Sequence, residues 1–341
     1  MVALDQRLGG VAPRICRICG REGNHTRFVL SEMMFGTRET FEYFQCSHCG
    51  CLQIDEIPTD LGPYYPPEYY SFEVRNEPPD DRTPLRRTLE RWRVGNALFG
   101  RGYKLARIAG QVVDLPPQVR DVGPWLKRCG IGSFAARFLD VGCGSFSWWL
   151  SQLRALGFRS LCGIDPYIGE DVEKGGILIL KRRIEEVSGE FDLITFHHSL
   201  EHITDQHSAL AAARSLLLAG GFCLVRIPLV SSAVWEQYGT DWVELDPPRH
   251  LYLHSHESIR LVAERAGFRL AEFASDSTEF EFWGSEQCRK GIPLMAEDSF
   301  LRDPRQSDFT FRQMSGFRKR AREVNLAGRG GRGCFFLQAV S

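Results

Sequence analysis

The stretch Phe138-Leu139-Asp140-Val141-Gly142-Cys143-Gly144-Ser145, followed by Asp165-Pro166 at the end of the next apolar run, is where this 341-residue chain is best equipped to hold a small molecule. Two glycines let a backbone turn approach a ligand closely. An acid about 20 residues further on, at the tip of the next strand, can accept hydrogen bonds from ribose hydroxyls. Dinucleotide loops seat a pyrophosphate on the following helix N-terminus. Asp140 would repel a pyrophosphate and suits a cationic amino-acid group instead. The pattern predicts a site for a nucleoside carrying an ammonium group. Asp140, Val141, Gly142, Cys143 and Gly144 would surround that group, and Asp165 and Pro166 would meet the ribose.

Three further constellations could do chemistry. Cys16-x-x-Cys19-Gly20 and Cys46-x-x-Cys49-Gly50 are separated by 26 residues, a spacing that suits tetrahedral Zn held by four thiolates. Four protein ligands close the sphere, so such a site is structural. Cys51 or His48 could replace one ligand, and a metal-free knuckle is the alternative. The remaining six cysteines read as small buried hydrophobes of a reduced compartment. Phe196-His197-His198-Ser199-Leu200-Glu201-His202 follows a strand. His197 would lie on the adenine side, and His198 could act as acid or base. Both could instead satisfy loop backbone, a reading stronger for His202. Asp246-Pro247-Pro248-Arg249-His250 projects His250 from a proline-braced turn, a position suited to a general base. Outside the cysteines, no cluster at metal-ligand spacing is legible.

These residues need an alternating βα frame to position them. Strands are expected at 137–141, 160–164, 192–197 and 222–227, and closing strands at 268–274 and 334–339. Helices are expected at 147–156, 208–217 and 256–266, with Gly220-Gly221 as a turn. The chain divides into 1–75 (cysteine ribbon and aromatic segment), 76–130 (helical linker or cap) and 131–341, with an insertion at 282–332. Residues 85–113 read as a basic helix with Leu85, Leu89 and Trp92 on one stripe. It would be a cap over the catalytic domain or a peripheral membrane contact. The insertion's Arg318, Lys319, Arg320 and Arg322 read as a solvated face, a loose loop or an anion-meeting surface. A net charge of -1 argues against nucleic acid as a partner. Neither a signal peptide nor a membrane span is legible, so a cytoplasmic location is expected. Oligomeric state is not legible.

Taken together, these motifs resemble the class I methyltransferases dependent on S-adenosyl-L-methionine (SAM), whose first motif is commonly Asp-x-Gly-x-Gly-x-Gly. Phe146 stands where the third glycine is usual. The four-cysteine ribbon, Tyr64-Tyr65-Pro66-x-x-Tyr69-Tyr70-Ser71-Phe72, His-His-x-Leu-Glu-His, Asp-Pro-Pro-Arg-His-Leu and Phe282-Trp283-Gly284-Ser285-Glu286 are similar to segments of bacterial methyltransferases of polysaccharide, glycolipid and sugar biosynthesis. Related enzymes use a histidine in the loop matching His250, often within Tyr-His-Glu-His. The resemblance implies an α/β fold with a Rossmann-like, mostly parallel seven-stranded sheet behind a zinc ribbon and helical cap. It also implies SAM as cofactor and a sugar or glycoconjugate hydroxyl as acceptor. Rival readings are a small-molecule or lipid methyltransferase, a ribbon module without catalysis, and an RNA methyltransferase, the last opposed by the neutral charge.

Overall fold

The computed structural model describes residues 13–66, 82–305 and 309–340. Residues 67–72 of the aromatic segment lie outside the described residues. The ribbon opens with a hairpin of β1 (Arg14–Ile15) and β2 (Glu22–Gly23). The antiparallel strands β3 (Thr26–Ser31), β4 (Thr40–Gln45) and β5 (Leu52–Ile54) follow. Each Cys-x-x-Cys turn closes on its glycine: Gly20 N donates to Cys16 O and Gly50 N to Cys46 O. Both glycines have positive φ, which a side chain would strain.

The expected basic helix is two helices, α1 (Pro84–Phe99) and α2 (Tyr103–Ala109), broken at the left-handed Gly100 and Gly102. The buried face of α1 is Glu90, Val94 and Leu98, not the expected stripe; Leu85 is 69% exposed and Trp92 37%. Glu90 can be buried because Arg82 and Arg86 pair with its carboxylate. Tyr103, Leu105 and Ile108 of α2 also point outward. Two short helices, α3 (Gln118–Asp121) and α4 (Gly123–Arg128), lead into the central domain.

The central sheet holds β6 (Arg137–Val141), β7 (Ser160–Ile164), β8 (Val172–Lys174), β9 (Ile177–Leu180), β10 (Phe191–His197), β11 (Leu217–Pro228), β13 (Phe268–Ser275) and β14 (Arg332–Ala339); β12 (Tyr252–Leu253) belongs elsewhere. The spatial order is β13-β14-β11-β10-β6-β7-β9-β8. β11, β10, β6, β7 and β9 run parallel, while β14 runs antiparallel between β11 and β13. Seven strands are expected and eight are present among the described residues; the extra one, β8, is an antiparallel edge strand hairpinned onto β9. The β6 and β10 sequences are nearly continuous apolar runs because helices cover both faces of a parallel sheet. Those helices include α5 (Trp148–Leu156), α6 (Gln206–Leu216) and α8 (His256–Arg265). The Gly220-Gly221 turn is a bulge inside β11: Leu217 pairs with Phe191, but the next partner pair is Phe222 with Leu193. α7 (Ala233–Tyr238) follows β11. The 282–332 region is built, not loose: α9 (Phe280–Arg289) packs against α10 (Phe311–Leu326), which buries Met314, Phe317 and Ala321. Its basic face is partly ion-paired, Arg318 with Glu279 and Lys319 with Glu323.

The ribbon is not an independent unit. β12 adds to β5, pairing Tyr252 with Gln53 and Leu253 with Leu52, so the central domain completes the ribbon's own sheet. Leu52, Tyr43 and Ile18 share one buried cluster with Leu253, Val262 and Leu210. Ribbon and domain should therefore unfold together. Leu52→Ala removes a fully buried side chain and should cost about 2–5 kcal/mol. Urea unfolding followed by tryptophan fluorescence should show one transition, displaced as a whole. A separate early transition in the variant would show that the ribbon folds by itself.

Candidate active site

A cavity of about 330 Å³ opens beyond the carboxyl ends of β6, β7 and β10; its wall includes Tyr65, Val141, Gly142, Asp165, Pro166, Tyr167, His198 and His202. Ligands of open α/β sheets sit in this place, and the volume lies at the small-molecule end of the usual range. Sheet register creates it. Asp140 lies beside Gly163 of β7 and Thr195 of β10, so the three strand ends finish level. Gly142 N and Cys143 N donate to Ile164 O, and Ser199 Oγ donates to Val141 O, locking the glycine loop to both neighbouring strands. A Cβ on Gly142 would fall 2.5 Å from Ser199 Cβ, so the loop can close this tightly only with glycine there.

Asp165 is buried, accepting from Gly144 N at 2.9 Å and Tyr167 N at 2.8 Å. Burial raises its carboxyl above the usual range, against those two donors. A carboxylate offers about four lone-pair sites, so capacity remains for a ligand's hydroxyls. Asp140 departs from expectation. Its carboxylate faces inward, accepting from Ser147 Oγ at 2.6 Å and Thr195 Oγ1 at 2.7 Å, and it does not line the cavity. Those two hydrogen bonds brace the loop. Ser147 in turn caps α5 by accepting from Leu150 N. Cys143 and Gly144 are likewise absent from the cavity wall. Phe146, at the usual third-glycine position, is half-buried just before that cap.

The two neighbouring histidines part company, because successive residues at the end of a strand face opposite ways. His197 packs between Trp149 and Trp125, with ring centroids 5.0 and 6.1 Å away, apart from the cavity. Its expected adenine contact is not placed there. Burial, with Arg226 nearby, lowers its pKa to about 3. His198 does line the cavity, in a left-handed conformation (φ 53) that few non-glycine residues adopt. Burial keeps it neutral, its pKa well below the usual value.

His202, which the sequence assigned to a loop role, also faces the cavity. Its Nδ1 lies 2.8 Å from Arg249 O and 3.1 Å from Tyr65 Oη, and burial lowers its pKa to about 3. Tyr65 stacks on Tyr167 at 6.1 Å, giving the cavity an aromatic wall. His250 stands one ring behind, 4.7 Å from His202 and only 7% exposed. Its Nδ1 sits 2.7 Å from Glu244 O, and its Nε2 lies 4.0 Å from both Glu201 Oε1 and Asp246 Oδ2. Glu201 is fully buried and 3.6 Å from His198 Nδ1, and burial raises its pKa well above the usual range.

Arg249 holds this loop. It is fully buried, pairs with Asp246 through Nε at 2.9 Å and Nη2 at 2.5 Å, and reaches Glu32 Oε1 at 2.8 Å. Burial alone would raise the Asp246 pKa, but the guanidinium outweighs it and holds the carboxyl low. Glu32 is itself saturated by the backbone N–H groups of Met34, Phe35, Gly36 and Thr37. Tyr43 Oη donates to His250 O at 2.8 Å. The ribbon thus fixes the His250 loop, a link that sequence spacing could not reveal.

The four ribbon cysteines converge, with Cys16 Sγ and Cys49 Sγ 3.6 Å apart and Cys19 Sγ and Cys46 Sγ 3.6 Å apart. Tetrahedral Zn–S bonds of about 2.3 Å place sulfurs about 3.8 Å apart, so the donor set fits. Gln53 Nε2 donates to Cys16 Sγ and His48 N to Cys46 Sγ, contacts that suit thiolates. Cys51 stands aside, its thiol directed at Leu52 O.

Residues 111–272 match the sequence model of a family described as a methyltransferase domain. No curated protein matches the chain significantly. Among solved structures, a putative sarcosine dimethylglycine methyltransferase from Galdieria sulphuraria is similar at 12% identity and TM-score 0.42, over 69% of this chain and 88% of that one. The cyclopropane synthase MmaA2 from Mycobacterium tuberculosis is similar at 13% identity and TM-score 0.41, over 76% and 100%. A SAM-dependent methyltransferase from Mesorhizobium loti gives 15% and 0.40, over 63% and 96%. Likeness this distant says nothing of the acceptor. The match over residues 111–272 supports a methyltransferase enzyme.

Burial pushes the Asp140 carboxyl up to about 6 from 3.8, against the Ser147 and Thr195 hydroxyl donors. A carboxyl raised on folding binds its proton more tightly in the folded protein. Its contribution is complete below the unfolded pKa and is lost as pH rises through the folded one. Asp140→Asn removes that titration. Between pH of about 4 and about 7, the variant should gain up to about 3 kcal/mol relative to the parent. Urea unfolding at both pH values measures this, and parallel stability curves would contradict it.

Proposed function

We propose that this protein is a SAM-dependent methyltransferase that methylates a sugar hydroxyl, free, nucleotide-linked or lipid-linked, with His250 as general base. One observation carries the reading: a single cavity wall joins Gly142 and Asp165 to His198 and His202. The nucleoside-binding backbone and two imidazoles thereby share one space, with His250 one ring behind His202. The methyltransferase-domain match supports the reaction class. The likeness of the ribbon, Tyr-Tyr-Pro and Asp-Pro-Pro-Arg-His segments to sugar-biosynthesis enzymes supports the acceptor class.

When bound, SAM supplies an electrophilic methyl whose leaving group is a neutral thioether. In this reading Val141 and Gly142 offer close backbone, Asp165 accepts from ribose hydroxyls, and Tyr65 and Tyr167 give a flat apolar wall. The acceptor hydroxyl must lose a proton. Glu244 O can only accept, so the His250 Nδ1 beside it carries the hydrogen. The lone pair is then on Nε2, as a base requires. His198 is the second candidate, nearer the glycine loop. Zn on Cys16, Cys19, Cys46 and Cys49 would brace the ribbon against the His250 loop without touching the reacting atoms.

Calorimetry with SAM should show binding, and Asp165→Ala should weaken it by about 1.5–3 kcal/mol, the worth of hydrogen bonds to a charged group. His250→Ala should slow labelled-methyl transfer to a panel of nucleotide sugars and polysaccharide fragments by about 10²–10⁴-fold, with SAM affinity unchanged. A parent protein that gives no SAM heat would end the cofactor assignment. Normal turnover by His250→Ala would move the base to His198.

A further inference from the structure

We infer that Glu201, His202 and His250 form a binding site for one divalent metal ion, separate from the four-cysteine cluster. Their ligand atoms all lie within 4.8 Å of one another. The Glu201 carboxylate is fully buried, yet neither oxygen accepts a hydrogen bond. A carboxylate in that position is costly unless a proton or a cation neutralises it. The buried guanidiniums of this region are engaged with other acids: Arg249 with Asp246 and Glu32, Arg332 with Glu281 and Glu244.

The histidines are set for ligation by their other nitrogens. His202 Nδ1 faces Arg249 O at 2.8 Å, and His250 Nδ1 faces Glu244 O at 2.7 Å. A carbonyl can only accept, so each Nδ1 carries the hydrogen and each Nε2 the lone pair. Metal-binding histidines are oriented in this way, by a backbone carbonyl or carboxylate on the far nitrogen. For three atoms no more than 4.8 Å apart, some point lies within about 2.8 Å of all of them. Imidazole and carboxylate ligation of zinc needs about 2.0–2.2 Å, so each ligand closes by less than about an ångström. Two imidazoles and one carboxylate favour a first-row divalent ion such as Zn²⁺, Mn²⁺ or Fe²⁺ over Ca²⁺ or Mg²⁺. Three protein ligands leave positions open, and because His202 lines the cavity, those positions adjoin the acceptor space.

The inference goes beyond the functional reading and constrains it. A cation on His250 Nε2 takes the lone pair that base catalysis needs, so His250 acts as a base only in the cation-free protein.

The test titrates Mn²⁺ alone into the full chain loaded with one equivalent of zinc, which the four thiolates take first, following the resonance of free Mn²⁺. One Mn²⁺ per chain is expected, with affinity at least about tenfold weaker in Glu201→Gln and in His202→Ala, the loss of one ligand or its charge. Thermal melting supplies a second readout. Without Mn²⁺, Glu201→Gln should melt no lower than the parent, since it replaces a buried ionisable carboxyl with a neutral group of the same shape. Added Mn²⁺ should raise the melting temperature of the parent and not of the variant. A parent holding one zinc per chain that takes up no Mn²⁺, or a Glu201→Gln variant that binds it as tightly, overturns the inference. SAM calorimetry on the same samples keeps the two readings apart: SAM binding without Mn²⁺ uptake removes this site and leaves the functional reading standing.

Discussion

A guanidinium with no exposed surface, Arg249, ties the two halves of this molecule together. It lies between Asp246 on its own loop and Glu32 of the ribbon. Removing a charged group from water costs several kcal/mol, and only close, well-aligned partners return it. Here the partners are exacting. Asp246 takes two nitrogens, and Glu32 is preset by four backbone donors before Arg249 arrives. The pair therefore does more to fix geometry than to add stability. Loss of Arg249 would strand two acids in the interior and release the His250 loop from the ribbon.

That constraint explains why a cysteine ribbon is built into a methyltransferase chain. β12 completes the ribbon sheet, Tyr43 holds the carbonyl of His250, and Ser255 Oγ reaches Cys49 O. A metal held by the four cysteines would act at a distance, by stiffening the surface on which the acceptor-side loop rests. Positioning groups need support of this kind, since a site loose by about an ångström loses most of its rate.

Much of the frame was legible because it rests on local chemistry. Apolar runs ending in glycines, an acid or paired histidines marked β6, β7 and β10, and cysteine spacing marked the ribbon. Several of the failures share one cause, which is that sequence does not say which way a side chain faces. Asp140 and Asp165 both end strands, yet one points into the loop's own hydroxyls and the other toward the cavity. His197 and His198 are neighbours, yet only His198 reaches the ligand space. The Glu201, His202 and His250 cluster was invisible because about fifty residues separate the adjacent Glu201 and His202 from His250. The α1 stripe misled because Glu90, a charged residue, is buried through its arginine partners. Tyr65 was flagged only as part of an aromatic run; its contact with His202 follows from the fold.

The central claim is that the cavity beyond β6, β7 and β10 is a methyl-donor site whose far wall carries the acid–base groups. The most direct test is a crystal structure of the protein grown with S-adenosylhomocysteine, the spent form of the donor. The account predicts ligand density in that cavity, with the ribose against Asp165 and the backbone of Gly142 in contact. Density confined to another surface, or a cavity that stays empty at saturating ligand, would contradict it.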